Sequence, residues 1–217
     1  MHKSINNLTL INDQIKSKFP TINNLNIIAV SKTFQMDNIE PLIKSGHIHF
    51  GENKVQEAIQ KWSDIRIAFT SLKLHMVGKL QTNKVKQAVS IFDYIHSLDN
   101  IKLASKISTE QKKIKKNLKI FIQVNLGYEE QKSGIDKKNL KEFYYECKNE
   151  FDLDVIGLMC IPPNEKEVKS FFKELAYLNK LLGLRDLSMG MSSDYLEAIN
   201  FGATFVRIGS KIFGKRS

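Results

Sequence analysis

The 217-residue sequence holds few of the residues that break or staple a chain: four prolines, eleven glycines and two cysteines. No Pro-, Gly- or Ser-rich linker divides it, and its length suits one α/β barrel of roughly 200–250 residues. One domain over residues 1–217 is therefore expected. The cysteines, Cys147 and Cys160, have neither CxxC spacing nor a metal-ligand pattern. Their apolar neighbours predict buried thiols in a reducing compartment. No run of about 18 apolar residues is present, which predicts no membrane span. The opening stretch, MHKSINNLTLINDQIKSKF, has the periodicity of an amphipathic helix and lacks the apolar block and cleavage site of a signal peptide. A cytoplasmic protein without a membrane partner is expected.

Acidic residues are also in deficit, 23 against 33 Lys and Arg, for a formal net charge of +10. Much of the excess lies in KISTEQKKIKKNLK, Lys106–Lys119, where helical spacing sets lysines on a solvated face. No motif with stacking aromatics accompanies this charge, so nucleic acid is not an expected partner.

Short β-branched or apolar runs alternate with longer helical patterns. Strands are predicted at Asn26–Ser31, His47–Gly51, Lys73–Gly78, Asp93–Ser97, Lys119–Asn125, Asp154–Met159, Asp186–Gly190 and Thr204–Gly209. Eight β–α units are the number that closes a parallel (β/α)8 TIM barrel, here preceded by one extra N-terminal helix. A doubly wound open sheet is the alternative. It favours a glycine-rich first turn, and the first turn here, SKTFQ, contains no glycine.

Barrels of this kind build their sites at the C-terminal ends of the strands. Lys32 ends the first strand and alternation places it on the face of Ile28 and Val30. Among apolar neighbours a lysine loses solvation and becomes a nucleophilic amine able to form a Schiff base; in the open it simply begins a loop. After the seventh and eighth strands come SMGMSSD and RIGSKIFG, each coupling glycine, a hydroxyl and a helix start. Such starts favour a phosphate, with Ser192, Gly209 and Ser210 as donors, although the serines could be plain helix caps. Arg207, inside the apolar run FVRIG, needs a carboxylate, a carbonyl or a ligand acceptor. Glu52 and Asn53 either meet a ligand hydroxyl or cap the helix ENKVQEAIQ. His47 and His49 form an HxH pair without a third ligand in spacing, so no metal is expected. His75 and His96 read as core or rim residues.

Taken in order, AVSKT (Ala29–Thr33), FGENKVQE (Phe50–Glu57), HMVGKLQTNK (His75–Lys84), VNLGYEEQKSGI (Val124–Ile135), GLMCIPP (Gly157–Pro163) and SMGMSSDYLEAINFGATFVRIGSKIFG (Ser188–Gly214) resemble the pyridoxal phosphate homeostasis protein family, also called YggS/PROSC. That family is similar to the barrel domain of alanine racemase. The resemblance implies a pyridoxal 5′-phosphate (PLP) cofactor held as a Schiff base on Lys32. It implies phosphate contacts from Ser192, Gly209 and Ser210, Arg207 facing the pyridine nitrogen, and Asn53 near the ring hydroxyl. The chain departs from the family pattern at Phe34, Gln35, Lys54 and Lys79, all placed at the rim.

Arg207 also bears on activity. A guanidinium stays charged, so a ring nitrogen facing it remains unprotonated and the ring is a weak electron sink. A two-base racemase further needs an acid–base group that alanine racemase takes from a second domain and subunit, and none is expected in this sequence. The expected role is a PLP carrier serving intracellular PLP homeostasis, with no catalytic residue assigned. A weak single-domain amino-acid racemase is the alternative. PLP-dependent apo-enzymes are the expected recipients, and the resemblance implies a monomer.

Overall fold

The computed structural model describes residues 2–127, 133–163 and 167–214. Within them the predicted eight strands all form, each within two residues of its expected bounds. They are β1 (Asn26–Val30), β2 (His49–Glu52), β3 (Lys73–Met76), β4 (Tyr94–Leu98), β5 (Lys119–Asn125), β7 (Asp154–Met159), β8 (Asp186–Met191) and β9 (Phe205–Ile208). A two-residue segment, β6 (Ile135–Asp136), adds to β5 and was not expected. All pairings are parallel. Beginning at β4 the order is β4-β3-β2-β1-β9-β8-β7-β5, and β4 also pairs β5, which closes the ring. The fold is a (β/α)8 TIM barrel.

Helices surround the ring: α1 (Lys3–Lys18), α2 (Met36–Lys44), α3 (Val55–Ala68), α4 (Val85–Ile91), α5 (Ile101–Lys113), α6 (Leu140–Asn149), α7 (Lys169–Leu181), α8 (Tyr195–Asn200) and α9 (Ser210–Phe213). The helix expected to begin near Asn164 begins at Lys169, with Val168 at its cap position and Glu167 outside it. Residues 164–166 lie outside the described residues, as do residues 128–132 of the VNLGYEEQKSGI segment. No described helix is long and apolar enough to cross a membrane.

Alternation along the strands sorts side chains into two layers. Ile27, Ala29 and Phe50 point outward into the large core shared with the helices, where Phe50 meets Trp62 of α3 with ring centroids 4.9 Å apart. Ile28 and Val30 point inward and pack with Val77, Phe121, Ile156, Met159 and Phe205. The barrel is thus a filled core whose upper rim is shaped by the loops. α1 lies against α9, and two bonds tie it to the last β–α units. Asn7 donates to the Ile212 carbonyl at 2.9 Å and the Tyr195 hydroxyl donates to Gln14 at 2.6 Å. Both cysteines are buried, and burial pushes each thiol up to about 12, so neither offers a thiolate near neutrality.

Candidate functional site

A cavity of about 560 Å³ opens at the C-terminal rim of the barrel. Lys32, Asn53, Ser192, Arg207, Gly209 and Ser210 all line it, with Val30, Val77 and Phe34 among its apolar walls. The register explains the convergence. β1 lies between β2 and β9, with Ala29 opposite Phe50 and Ile28 opposite Arg207, so chain segments 175 or more residues apart share one opening.

Lys32 is half-buried and follows a strand whose inward residues are apolar. The turn after it is strained: Thr33, a β-branched residue, has φ of 67°, a region such residues rarely occupy. Two bonds hold the turn. The Phe34 amide donates to the Ser31 carbonyl at 3.1 Å, and the Thr33 amide donates to Glu57 of α3 at 2.6 Å. Beneath it, the Glu52 Oε1 accepts from the Ser31 hydroxyl, the Lys61 ammonium and the Trp62 indole at 2.7, 2.9 and 3.0 Å. Lys61 also donates to the Ser31 carbonyl and to Glu57. Glu52 therefore neither reaches the cavity nor caps α3, whose cap position is Lys54, with no side-chain capping bond. It is a fully buried anchor under the Lys32 turn. The sequence could not show this, because Lys61 and Trp62 meet Glu52 only after α3 folds back over β2.

Asn53 is positioned by a close backbone crossing. A Cβ at Gly78 would lie 2.5 Å from the Asn53 carbonyl oxygen, so this approach requires glycine. On the opposite side, the Gly209 and Lys211 amides both donate to the Ser192 hydroxyl, at 3.3 and 3.4 Å. These are loops of the seventh and eighth β–α units, the place where barrels of this class gather anions. Neither serine caps a helix as the plain reading had it: the cap position of α8 is Asp194 and that of α9 is Gly209. Asp194 instead accepts from the Met191 amide at 2.5 Å and fixes the Ser192 loop.

Arg207 is 5% exposed. Its guanidinium donates to the Ser188 hydroxyl at 2.7 Å and to the Cys160 carbonyl at 2.9 Å. No described carboxylate pairs with it. Burial lowers its hold on its proton from the usual guanidinium value, and the Cys160 thiol and Asp194 pull it back. An arginine carries five N–H donors, so donors remain to face the cavity. A buried cation with spare donors and no carboxylate among the described residues can take a further acceptor from a ligand.

His47 and His49 do not point together at an ion. The His47 ring bonds the His49 carbonyl at 2.9 Å, and the His49 ring turns to His75. Among the described residues, no group of three or more His, Cys, Asp or Glu is placed to hold a metal.

The alanine racemase N-terminal domain family matches residues 12–217. The pyridoxal phosphate homeostasis protein of Aquifex aeolicus is 38% identical over 201 residues, spanning 88% of this chain and 86% of that protein. The chain belongs to that family. The homologue from Haemophilus influenzae is 34% identical, over 97% of this chain and 95% of its own length. Among solved structures, PipY of Synechococcus elongatus with PLP bound superposes with a TM-score of 0.87 at 32% identity, covering 97% of this chain and all of PipY. An alanine racemase of Clostridium difficile has the same fold, with a TM-score of 0.73 at 15% identity over 57% of its length.

Proposed function

We propose that this chain binds PLP in the rim cavity, holds it through a Schiff base on Lys32, and serves as a carrier in PLP homeostasis rather than as a strong catalyst. The observation that carries the reading is Arg207: a buried guanidinium with donors left over and no carboxylate partner among the described residues, in the same cavity as Lys32. The donor set fits the cofactor at each end. The Ser192 and Ser210 hydroxyls at the start of α9, where the Gly209 and Lys211 amides meet Ser192, suit a phosphate. Arg207 suits a lone-pair nitrogen, and Asn53 suits a phenolic oxygen. PLP binding by a relative of similar length and fold supports the same reading.

When bound, PLP supplies an aldehyde carbon that exchanges amines and a ring that can withdraw electrons. The Lys32 Nζ forms the imine bond with loss of water, and the strained Thr33 turn fixes where that amine points. Val30, Val77 and Phe34 exclude water from one wall. Arg207 donates and cannot accept, so it holds a ring nitrogen in its unprotonated form, which weakens electron withdrawal and favours storage over carbanion chemistry. Release follows when another amine displaces Lys32, and the recipients are PLP-dependent apo-enzymes served by a monomeric, cytoplasmic carrier.

Borohydride reduction followed by peptide mass spectrometry tests this. A pyridoxyl adduct on Lys32 that is absent in Lys32→Ala is expected. An adduct elsewhere, or none with excess PLP, overturns the reading. Loss of α-deuterium from amino acids at enzymatic rates would replace the carrier with a racemase.

A further inference from the structure

The inward layer beneath the cavity is usually filled by branched apolar side chains in barrels of this class. Here β2, β3 and β4 each contribute a histidine instead. The His49 Nδ1 lies 2.9 Å from the His75 Nε2, and the His75 Nδ1 lies 2.9 Å from the His96 Nε2. The His96 Nδ1 is 2.8 Å from the Ser188 hydroxyl, which accepts from Arg207 at 2.7 Å. His75 and His96 are fully buried, whereas His49 is partly exposed at the start of β2, on the barrel end away from the cavity.

The direction of this chain follows from its inner end. Arg207 can only donate, so the Ser188 oxygen accepts from it. Among the described bonds of Ser188, the His96 Nδ1 is the one acceptor for the hydroxyl hydrogen. His96 therefore carries its hydrogen on Nε2 and gives it to the His75 Nδ1, and His75 in turn donates from Nε2 to the His49 Nδ1. Burial drives both inner imidazoles to the neutral form that this pattern requires, reinforced by the Lys73 ammonium near His75 and the Arg207 guanidinium near His96. Each inner ring makes both of its bonds, which removes the desolvation cost of three buried polar side chains.

We propose that Ser188, His96, His75 and His49 are positioning residues, forming one relay of fixed polarity that runs from the opposite mouth of the barrel and aims the Arg207 guanidinium into the cofactor cavity. The relay rests on the reading that Arg207 faces bound PLP. Because a guanidinium does not release its proton at physiological pH, the relay orients the site and does not conduct protons. Apolar residues in these places would fill the barrel equally well but would leave the Ser188 hydroxyl without an acceptor and free to turn away from Arg207.

Two measurements test it. ¹⁵N NMR of the apo-protein reads the tautomers without any ligand, and neutral Nε2–H forms are expected at His75 and His96. PLP titration monitored by fluorescence reads the effect on the site. Ser188→Ala should bring in the Nδ1–H form of His96 and weaken PLP binding roughly tenfold, the scale of one lost hydrogen bond to a charged group. Ser188→Thr, which keeps the hydroxyl, should restore both. His49→Phe is the second variant, in case Ser188→Ala does not fold. It orphans the His75 Nε2–H at the half-exposed end, and it should weaken PLP binding although it lies on the far side of the barrel. Nδ1–H forms in the wild type overturn the relay. So does wild-type affinity in both variants while the Lys32 adduct persists, which leaves the PLP reading intact. Absence of the wild-type adduct removes reading and relay together.

Discussion

At the scale of single residues, the site depends on side chains that never touch its cavity. Glu52 is fully buried and its Oε1 serves Ser31, Lys61 and Trp62 together. Without Glu52, Lys61 keeps Glu57 as its carboxylate but the buried Ser31 hydroxyl and Trp62 indole lose their acceptor, so Glu52→Ala should cost about 1–3 kcal/mol in urea unfolding. Destabilisation below 1 kcal/mol would show that the cluster is dispensable. Lys32 and the two serines stood out in the sequence because each is polar at the end of an apolar run, and Arg207 because it lies inside one. Glu52 was noticed too, but its role was misread. A strand's alternation tells which face a residue takes, not which helix residue will lie over it, and Lys61 and Trp62 gave no local sign of that contact.

At the scale of elements, the strands were legible because each apolar run is short and lies between helical patterns of different period. The two-residue β6 was not, since two residues carry no periodicity. The amphipathic pattern of α1 predicted a helix but not its station. It sits on the β–α units that carry Ser192, Gly209 and Ser210, through Asn7 to Ile212 and Tyr195 to Gln14. Tyr195→Phe deletes the second tie without altering the core shape and should lower stability by about 1 kcal/mol, with a matching loss of hydrogen-exchange protection in α1. Unchanged protection would mean that apolar packing alone holds α1. Gly190 is a second sensitive point. Its φ is 90°, and a Cβ there would come 2.5 Å from the Ala198 Cβ, so Gly190→Ala should displace α8 and weaken PLP uptake at the neighbouring Ser192 loop. Wild-type uptake in that variant would separate the loop from α8.

For the molecule as a whole, the histidines set the response to acid. His75 and His96 titrate well below the ordinary imidazole value in the folded state, and His49 is lowered to about 4, in each case chiefly by burial. The unfolded chain therefore binds more protons than the folded one below about pH 6.5. Stability is fully present above that pH and is lost as pH falls toward 4, with a slope approaching about 1.4 kcal/mol per pH unit for each fully buried histidine. Urea midpoints at pH 7.5, 6.0 and 5.0 should fall in that order, and equal midpoints would contradict neutral burial. The inter-strand registers that join these rings were invisible in the sequence, where His49, His75 and His96 lie more than twenty residues apart.

The seam between β1 and β9 has one more consequence, which concerns the order of synthesis. Lys32 leaves the ribosome early, but Arg207, Gly209 and Ser210 follow some 175 residues later, and only their pairing with β1 brings the two sides of the cavity together. Until then β1 has an open edge and the amine has no pocket. If PLP is held on Lys32 as proposed, its capture begins only once the ring has closed, and a Lys32 adduct would be a chemical marker of completed folding.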